Sequence, residues 1–208
     1  MATVNLLAKL SMATAGAAVV ALSVAGTAQA SSGFSGDYDP INWDLTNTNT
    51  NGFVNTTNAP ASISVTGGNR GFLAFGGGQT AYTTTAVGSG EVSFDWSYNT
   101  NDIRGATSFF GLPLDPFGYL LNGVFTQLTS GSSSNQNGVS SFLVNEGDIF
   151  GFAVNTRDNL FGRATATISN FHAPQAVPEP ASMIGLLGLG AFGVTSLRKR
   201  KQQATVKA

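Results

Sequence analysis

Eight consecutive residues, Glu91-Val92-Ser93-Phe94-Asp95-Trp96-Ser97-Tyr98, alternate polar and apolar without a break. A helix would scatter Val92, Phe94, Trp96 and Tyr98 around its circumference. A strand sets all four on one face, against a core, and leaves Glu91, Ser93, Asp95 and Ser97 on the other. The same period of two runs through residues 62–66, 141–144 and 165–169, as expected of half-buried antiparallel strands. Residues 117–121 and 124–128 flank Asn122-Gly123, the pair favoured in a two-residue type I′ turn because both positions need positive φ. Asn145-Glu146-Gly147 similarly joins the strand ending at Val144 to one over 149–154, and further strands are expected at 41–46, 71–75 and 81–86. No stretch of 31–173 combines helical periodicity with caps. Roughly nine to eleven short strands at regular spacing predict an all-β fold, a single jelly-roll-like β-sandwich over residues 31–173. The low-complexity runs 46–51 and 131–135 are expected to be loops.

The chain has no cysteine, so the sandwich relies on its core, and a stretch of this length buries about two-thirds of its unfolded surface. Both ends are unlike the middle. Lys9 precedes an apolar run to Val24, and Ala28-Gln29-Ala30 supplies a small-x-small cleavage pattern, so residues 1–30 read as a removed signal peptide and Ser31 as the mature start. At the other end stand Pro178-Glu179-Pro180, an uncharged run over 181–197, and then Arg198-Lys199-Arg200-Lys201. The two prolines exclude regular helix around Glu179. A helix over 181–197 rises roughly 25 Å, a short but sufficient transmembrane span, and the basic cluster within 198–208 stays cytoplasmic. Residues 174–180 are then a linker carrying the Pro-Glu-Pro motif, the linker character beginning near Ala173.

This three-part tail resembles the PEP-CTERM sorting signal of exported proteins in Gram-negative bacteria, cyanobacteria among them. The resemblance implies processing near Pro178, Glu179 and Pro180 by a membrane protease-transpeptidase, exosortase. It also implies a single-pass hold in the inner membrane before processing, then delivery to the cell surface or extracellular polysaccharide. The extra residues 202–208 depart from the abrupt end usual in that family. The stretches 94–98, 115–123 and 171–174 also resemble the β-rich ectodomains that accompany such tails.

Set apart from its ends, the middle keeps Arg70, Arg104, Arg157 and Arg163 against ten acidic residues between Asp37 and Asp158. A domain this acidic has no footprint for a phosphate backbone, which excludes nucleic acid as a partner. It also lacks lysine, and its one histidine, His172, stands at a strand end. That set does not build a nucleophilic triad, a serine–lysine pair or a zinc site. Paired carboxylates for glycoside hydrolysis are present only by count, among Glu91, Asp95, Asp102, Asp115 and Glu146. The loose dinucleotide-loop match 76–81 runs into Tyr82-Thr83-Thr84-Thr85, a strand former where that chemistry needs a helix. No catalytic residue and no cofactor are therefore expected. Calcium is the one alternative, through Asp37 and Asp39 or through Asp102 and Asp115, although neither pair has EF-hand spacing. Trp43, Trp96, Tyr98 and Tyr119 are the aromatic candidates for sugar stacking, but all four read more simply as core, Trp96 and Tyr98 beside Val92 and Phe94 and Trp43 between Ile41 and Leu45. The expectation is a non-enzymatic surface or matrix protein, with a carbohydrate-binding module, calcium-dependent or not, as the alternative.

Overall fold

In the computed structural model, the described residues are 30–72, 76–102, 114–131 and 133–176, and a compact unit runs from Ala28 to Ala176. Eleven strands appear among the described residues: β1 (Ala30–Ser32), β2 (Asp44–Thr48), β3 (Phe53–Asn55), β4 (Ser62–Thr66), β5 (Gly78–Thr85), β6 (Gly90–Thr100), β7 (Phe117–Leu121), β8 (Val124–Gln127), β9 (Asn135–Val144), β10 (Ile149–Thr156) and β11 (Ala164–Pro174). They form two antiparallel sheets. One has the order β3-β4-β11-β6-β9 with β1 added along β11, and the other has the order β2-β5-β10-β7-β8. From β4 onward the chain alternates between sheets, staying in one only for the β7–β8 hairpin, which gives the jelly-roll-like sandwich.

Alternation explains which face of each strand is covered. Val92, Phe94, Trp96 and Tyr98 of β6 are all buried, facing Phe150, Phe152 and Val154 of β10 across the core. The middle of that core is aromatic. The Trp43 indole stacks between Tyr82 (5.1 Å) and Phe152 (5.7 Å), and Phe34 lies parallel to Phe171 at 4.6 Å. Such pairs add about 0.5–1.5 kcal/mol each beyond the area they bury. On the outside of the β4–β11 pair, by contrast, hydroxyls meet across strands: Ser64 with Thr167 and Thr66 with Thr165, both at 3.0 Å.

Several expectations shift. The expected strand over 41–46 starts later, because Pro40 opens a 3-10 turn, Pro40–Asn42, and β2 runs instead through the expected low-complexity loop to Thr48. There Asn47 donates to the Gly52 carbonyl and accepts from Thr80, so its amide is absorbed by neighbours. Gly71 and Phe72 are not strand, and 73–75 lie outside the described residues. The expected linker from Ala173 is strand: Ala173 and Pro174 are buried, and the Tyr38 hydroxyl donates to the Pro174 carbonyl at 2.6 Å. Ala28, Pro178-Glu179-Pro180, the 181–197 run and Arg198-Lys199-Arg200-Lys201 lie outside the described residues. Among those described, no helix is long and apolar enough to cross a membrane.

The sandwich has two poles. At one, β11 ends beside the turn before β6, where Gly88 abuts the Gln175 backbone and Gly90 the Pro174 ring. At the other, β6 ends at Thr100, β10 ends at Thr156, and β5 and β7 begin. The eight residues of β10 separate the poles by roughly 25 Å.

Candidate functional site

The outward face of the five-stranded sheet is where this fold departs from a plain sandwich. On β10 the inward residues are Phe150, Phe152 and Val154, which leaves Gly151, Ala153 and Asn155 outward. On β7 the outward pair is Gly118 and Leu120. The register then sets Gln127 of β8 opposite Gly118, and Phe125 opposite Leu120. Small residues therefore floor the centre of the face. Ala81, Ala153 and Leu120 are buried under a half-buried Phe125, and a Cβ on Gly118 would strike the Thr126 carbonyl and the Phe125 ring. Phe125 rises over this floor and forms one side of a shallow trough.

Toward the pole opposite Pro174 the trough opens into a groove. Gly77, Gly78 and Gln79 form one wall, Phe125 and Gln127 the other, and Pro116, Asn155, Thr156 and Arg157 its end. Its polar lining is dominated by amides. The Gln79 amide donates to the side-chain oxygen Oδ1 of Asn155 at 2.9 Å, and the Gln127 amide donates to the Thr129 backbone carbonyl at 2.6 Å. Those bonds fix the side chains and leave the Gln79 and Gln127 carbonyl oxygens and the Asn155 amino group with capacity for another partner. Exposed Arg157 adds positive charge at the rim, its backbone held by the Leu114 carbonyl.

Behind the groove lies an acidic corner. Asp115, just before Pro116, is 2 % exposed, and neither carboxylate oxygen has a hydrogen-bond partner of good geometry. Burial pushes its pKa up to about 7; Asp102 and Asp158 push the same way, while the nearby Thr156 hydroxyl opposes them. Below about pH 7 a neutral carboxyl is therefore the form that this corner favours. The Tyr98 hydroxyl, whose pKa burial also raises, donates to the Asp115 backbone carbonyl at 2.8 Å.

The residues singled out in the sequence fall differently. Trp43 is core, 6 % exposed, and its indole N–H donates to the Tyr38 carbonyl at 3.1 Å, so it is not a ligand platform. Trp96 and Tyr98 are core as well, while Tyr119 is half-buried with its ring stacked on Phe142 at 4.3 Å. Asp37 and Asp39 are exposed on two short 3-10 turns, and Asp39 spends one oxygen on the Ile41 N–H. Asp102 and Asp115 do come together, but among the described residues no group of three or more acid or histidine side chains is arranged to hold a metal ion. Ala30 opens β1 opposite Pro174. His172 is exposed on β11 at the pole away from the groove. Sequence reasoning did not single out Phe125, Gln127, Gln79, Asn155 or Arg157. The signal was there in the hairpin: a two-residue turn at Asn122-Gly123 fixes Phe125 and Gln127 on the face opposite Phe117 and Tyr119.

Comparison with known proteins adds the address. The family model for the PEP-CTERM protein-sorting motif matches residues 176–201. The chain carries a PEP-CTERM sorting motif. That motif marks an exported protein, and it begins at the last described residue of the β-sandwich. No curated protein matches the chain. Among solved structures, a family 35 carbohydrate-binding module from Clostridium thermocellum is 15 % identical, covering 68 % of this chain and 98 % of that one, with a TM-score of 0.34. A mannan-recognising carbohydrate-binding module is 10 % identical over 71 % of this chain and 99 % of its own, with a TM-score of 0.38. Tailspike protein 4 of bacteriophage CBA120 is 9 % identical over 68 % of this chain and 21 % of its own, with a TM-score of 0.36. At these values the likenesses say nothing of function.

Proposed function

We propose that this PEP-CTERM protein is a non-enzymatic component of the cell surface or its polysaccharide matrix, and that it binds a glycan in the groove beside Phe125. The observation that carries the reading is the groove's lining. Sugars offer hydroxyls that both donate and accept, and apolar ring faces. Fixed amides from Gln79, Asn155 and Gln127 suit the former, and an aromatic ring over a floor of small residues suits the latter. Three uncharged amides against one arginine favour a neutral or weakly acidic polysaccharide.

On this reading, exosortase recognises Pro178-Glu179-Pro180 while the uncharged 181–197 run holds the protein in the inner membrane with Arg198 to Lys201 on the cytoplasmic side. The groove then lies at the pole far from Ala176, where the chain leaves the sandwich. No metal is required, and calcium at Asp102 and Asp115 is a secondary reading, supported by the unsatisfied Asp115 oxygens. A melting midpoint indifferent to chelator would end it.

The test is a glycan array with a fragment that runs to Ala176, because stopping at Ala173 would cut into β11. Phe125→Ala and Gln127→Ala should each weaken the strongest signal by about tenfold, the size of one lost stacking or hydrogen-bonding contact. A signal unchanged by both substitutions would move the binding site elsewhere, and silence across the array would leave the matrix role without a glycan ligand.

A further inference from the structure

β9 is the end strand of the six-stranded sheet. It pairs with β6 along its full length, from Gly90 opposite Val144 to Asn99 opposite Asn135, and among the described residues no strand pairs with its other edge. Edge strands usually carry protection, such as brevity, a lysine or other charge, a proline or a bulge, because an open row of N–H and C=O groups templates another strand. The other sheet ends have it: β3 is three residues long, β8 is four, and β2 begins with Asp44. β9 is ten residues long, Asn135-Gln136-Asn137-Gly138-Val139-Ser140-Ser141-Phe142-Leu143-Val144, with no charge and no proline, and its ladder with β6 is unbroken.

Its outward face carries two large apolar side chains in the open, Val139 at 76 % and Leu143 at 74 % exposure. They stand four residues apart with Ser141 midway. In an antiparallel pairing of two β9 strands centred on Ser141, residue 139 of one lies opposite residue 143 of the other, and the reverse. Both open side chains are then covered by each other. A two-fold axis produces both pairs at once, which a partner of unrelated sequence would match only by coincidence.

Electrostatics favours the same edge. The domain is acidic, so two copies repel over most of their surfaces. At β9 the nearest acids are Glu91 and Asp95, opposite Leu143 and Val139 on β6. In the paired arrangement they are three strand spacings from their counterparts, roughly 14 Å, beyond the screening length of about 8 Å at physiological salt.

We infer that β9 is an assembly edge, pairing antiparallel with β9 of a second copy of this chain about Ser141 and joining two six-stranded sheets into one. The inference does not depend on what the groove binds.

The chain's lack of cysteine makes the test clean. Ser141 is exposed, so Ser141→Cys leaves the core untouched, and at the two-fold centre its Cα lies about 4.5–5.5 Å from its twin, within disulfide range. The full chain carrying Ser141→Cys, produced with its own signal and tail and treated with mild oxidant, should run as a covalent dimer on a non-reducing gel. Thr126→Cys, exposed on β8 at the edge of the other sheet, should stay monomeric. Adding Val139→Lys to Ser141→Cys should lower the dimer fraction by roughly tenfold, since both Val139–Leu143 pairs are lost. Chains bearing Val139→Cys and Leu143→Cys should cross-link when mixed and much less when alone, which fixes the register. Monomeric Ser141→Cys, equal cross-linking of Thr126→Cys, or indifference to Val139→Lys would each overturn the inference.

Discussion

Asp115 is the residue whose chemistry is furthest from its sequence neighbourhood. Nothing in Asp115-Pro116 distinguishes it from an ordinary turn acid, yet burial beside Asp102 and Asp158 raises its pKa to about 7. A raised carboxylate pKa makes the fold bind a proton that the unfolded chain has released, so stability falls as pH rises from about 4 to about 7 and then levels off. Asp115→Asn removes that dependence. Its stability advantage over the parent should widen by about 2–3 kcal/mol between pH 5 and pH 8, read by urea unfolding at each pH. A stability difference between the two proteins that is the same at pH 5 and at pH 8 would contradict it. Trp43 makes the opposite point. Its alternation in Ile41-Asn42-Trp43-Asp44-Leu45 is consistent with either face, and only tertiary contacts decide. With Tyr82 and Phe152 on its two sides, Trp43→Ala should cost about 3–5 kcal/mol in chemical denaturation.

The hairpin at Asn122-Gly123 is the element most fully legible in the sequence. Both residues have positive φ, 50° and 80°, and the Asn122 side chain also accepts from the Ile149 N–H at 2.9 Å, pinning the turn to β10. Gly123→Ala should therefore destabilise by about 1 kcal/mol, with the same unfolding slope, because the added Cβ meets no atom and only the backbone conformation is strained. Less legible elements failed for identifiable reasons. β9 is polar over Asn135-Gln136-Asn137, so pattern alone reads loop, whereas its ladder with β6 satisfies the backbone regardless of side chain. β11 loses its period of two after Ile168. A register shift between Ser169 and His172, with Asn170 at φ 47°, puts Ile168 and Phe171, three apart, both inside. That extra residue made a buried strand end look like a linker.

Within the sandwich, β11 ends at Pro174 at one pole, and the groove beside Asn155 and Arg157 lies at the other. The fold class and the sorting motif were legible from pattern and order. The groove was not, because it arises from which strands become neighbours, and residues from β5, β8 and β10 meet there only in three dimensions. Sorting makes a prediction at this level. Intact mass of the exported protein from competent cells should lack Arg198 to Lys201 and keep all of β11, while replacing Pro178-Glu179-Pro180 with alanines should leave the basic tail attached. Retention of that tail in the parental protein would point to a plain anchor.

One consequence lies in the strand that leads to the motif. β11 runs between β4 and β6, with β1 alongside its far end, and only Gln175, Ala176 and Val177 separate its buried Pro174 from the sorting residues. Force that reaches the sandwich through its C-terminal end therefore enters by an interior strand. Ladder bonds lie across that strand's axis, so both flanks bear a load along it together in shear and do not open one bond at a time. A hold on the tail would thus load the sandwich through a strand bonded on both sides.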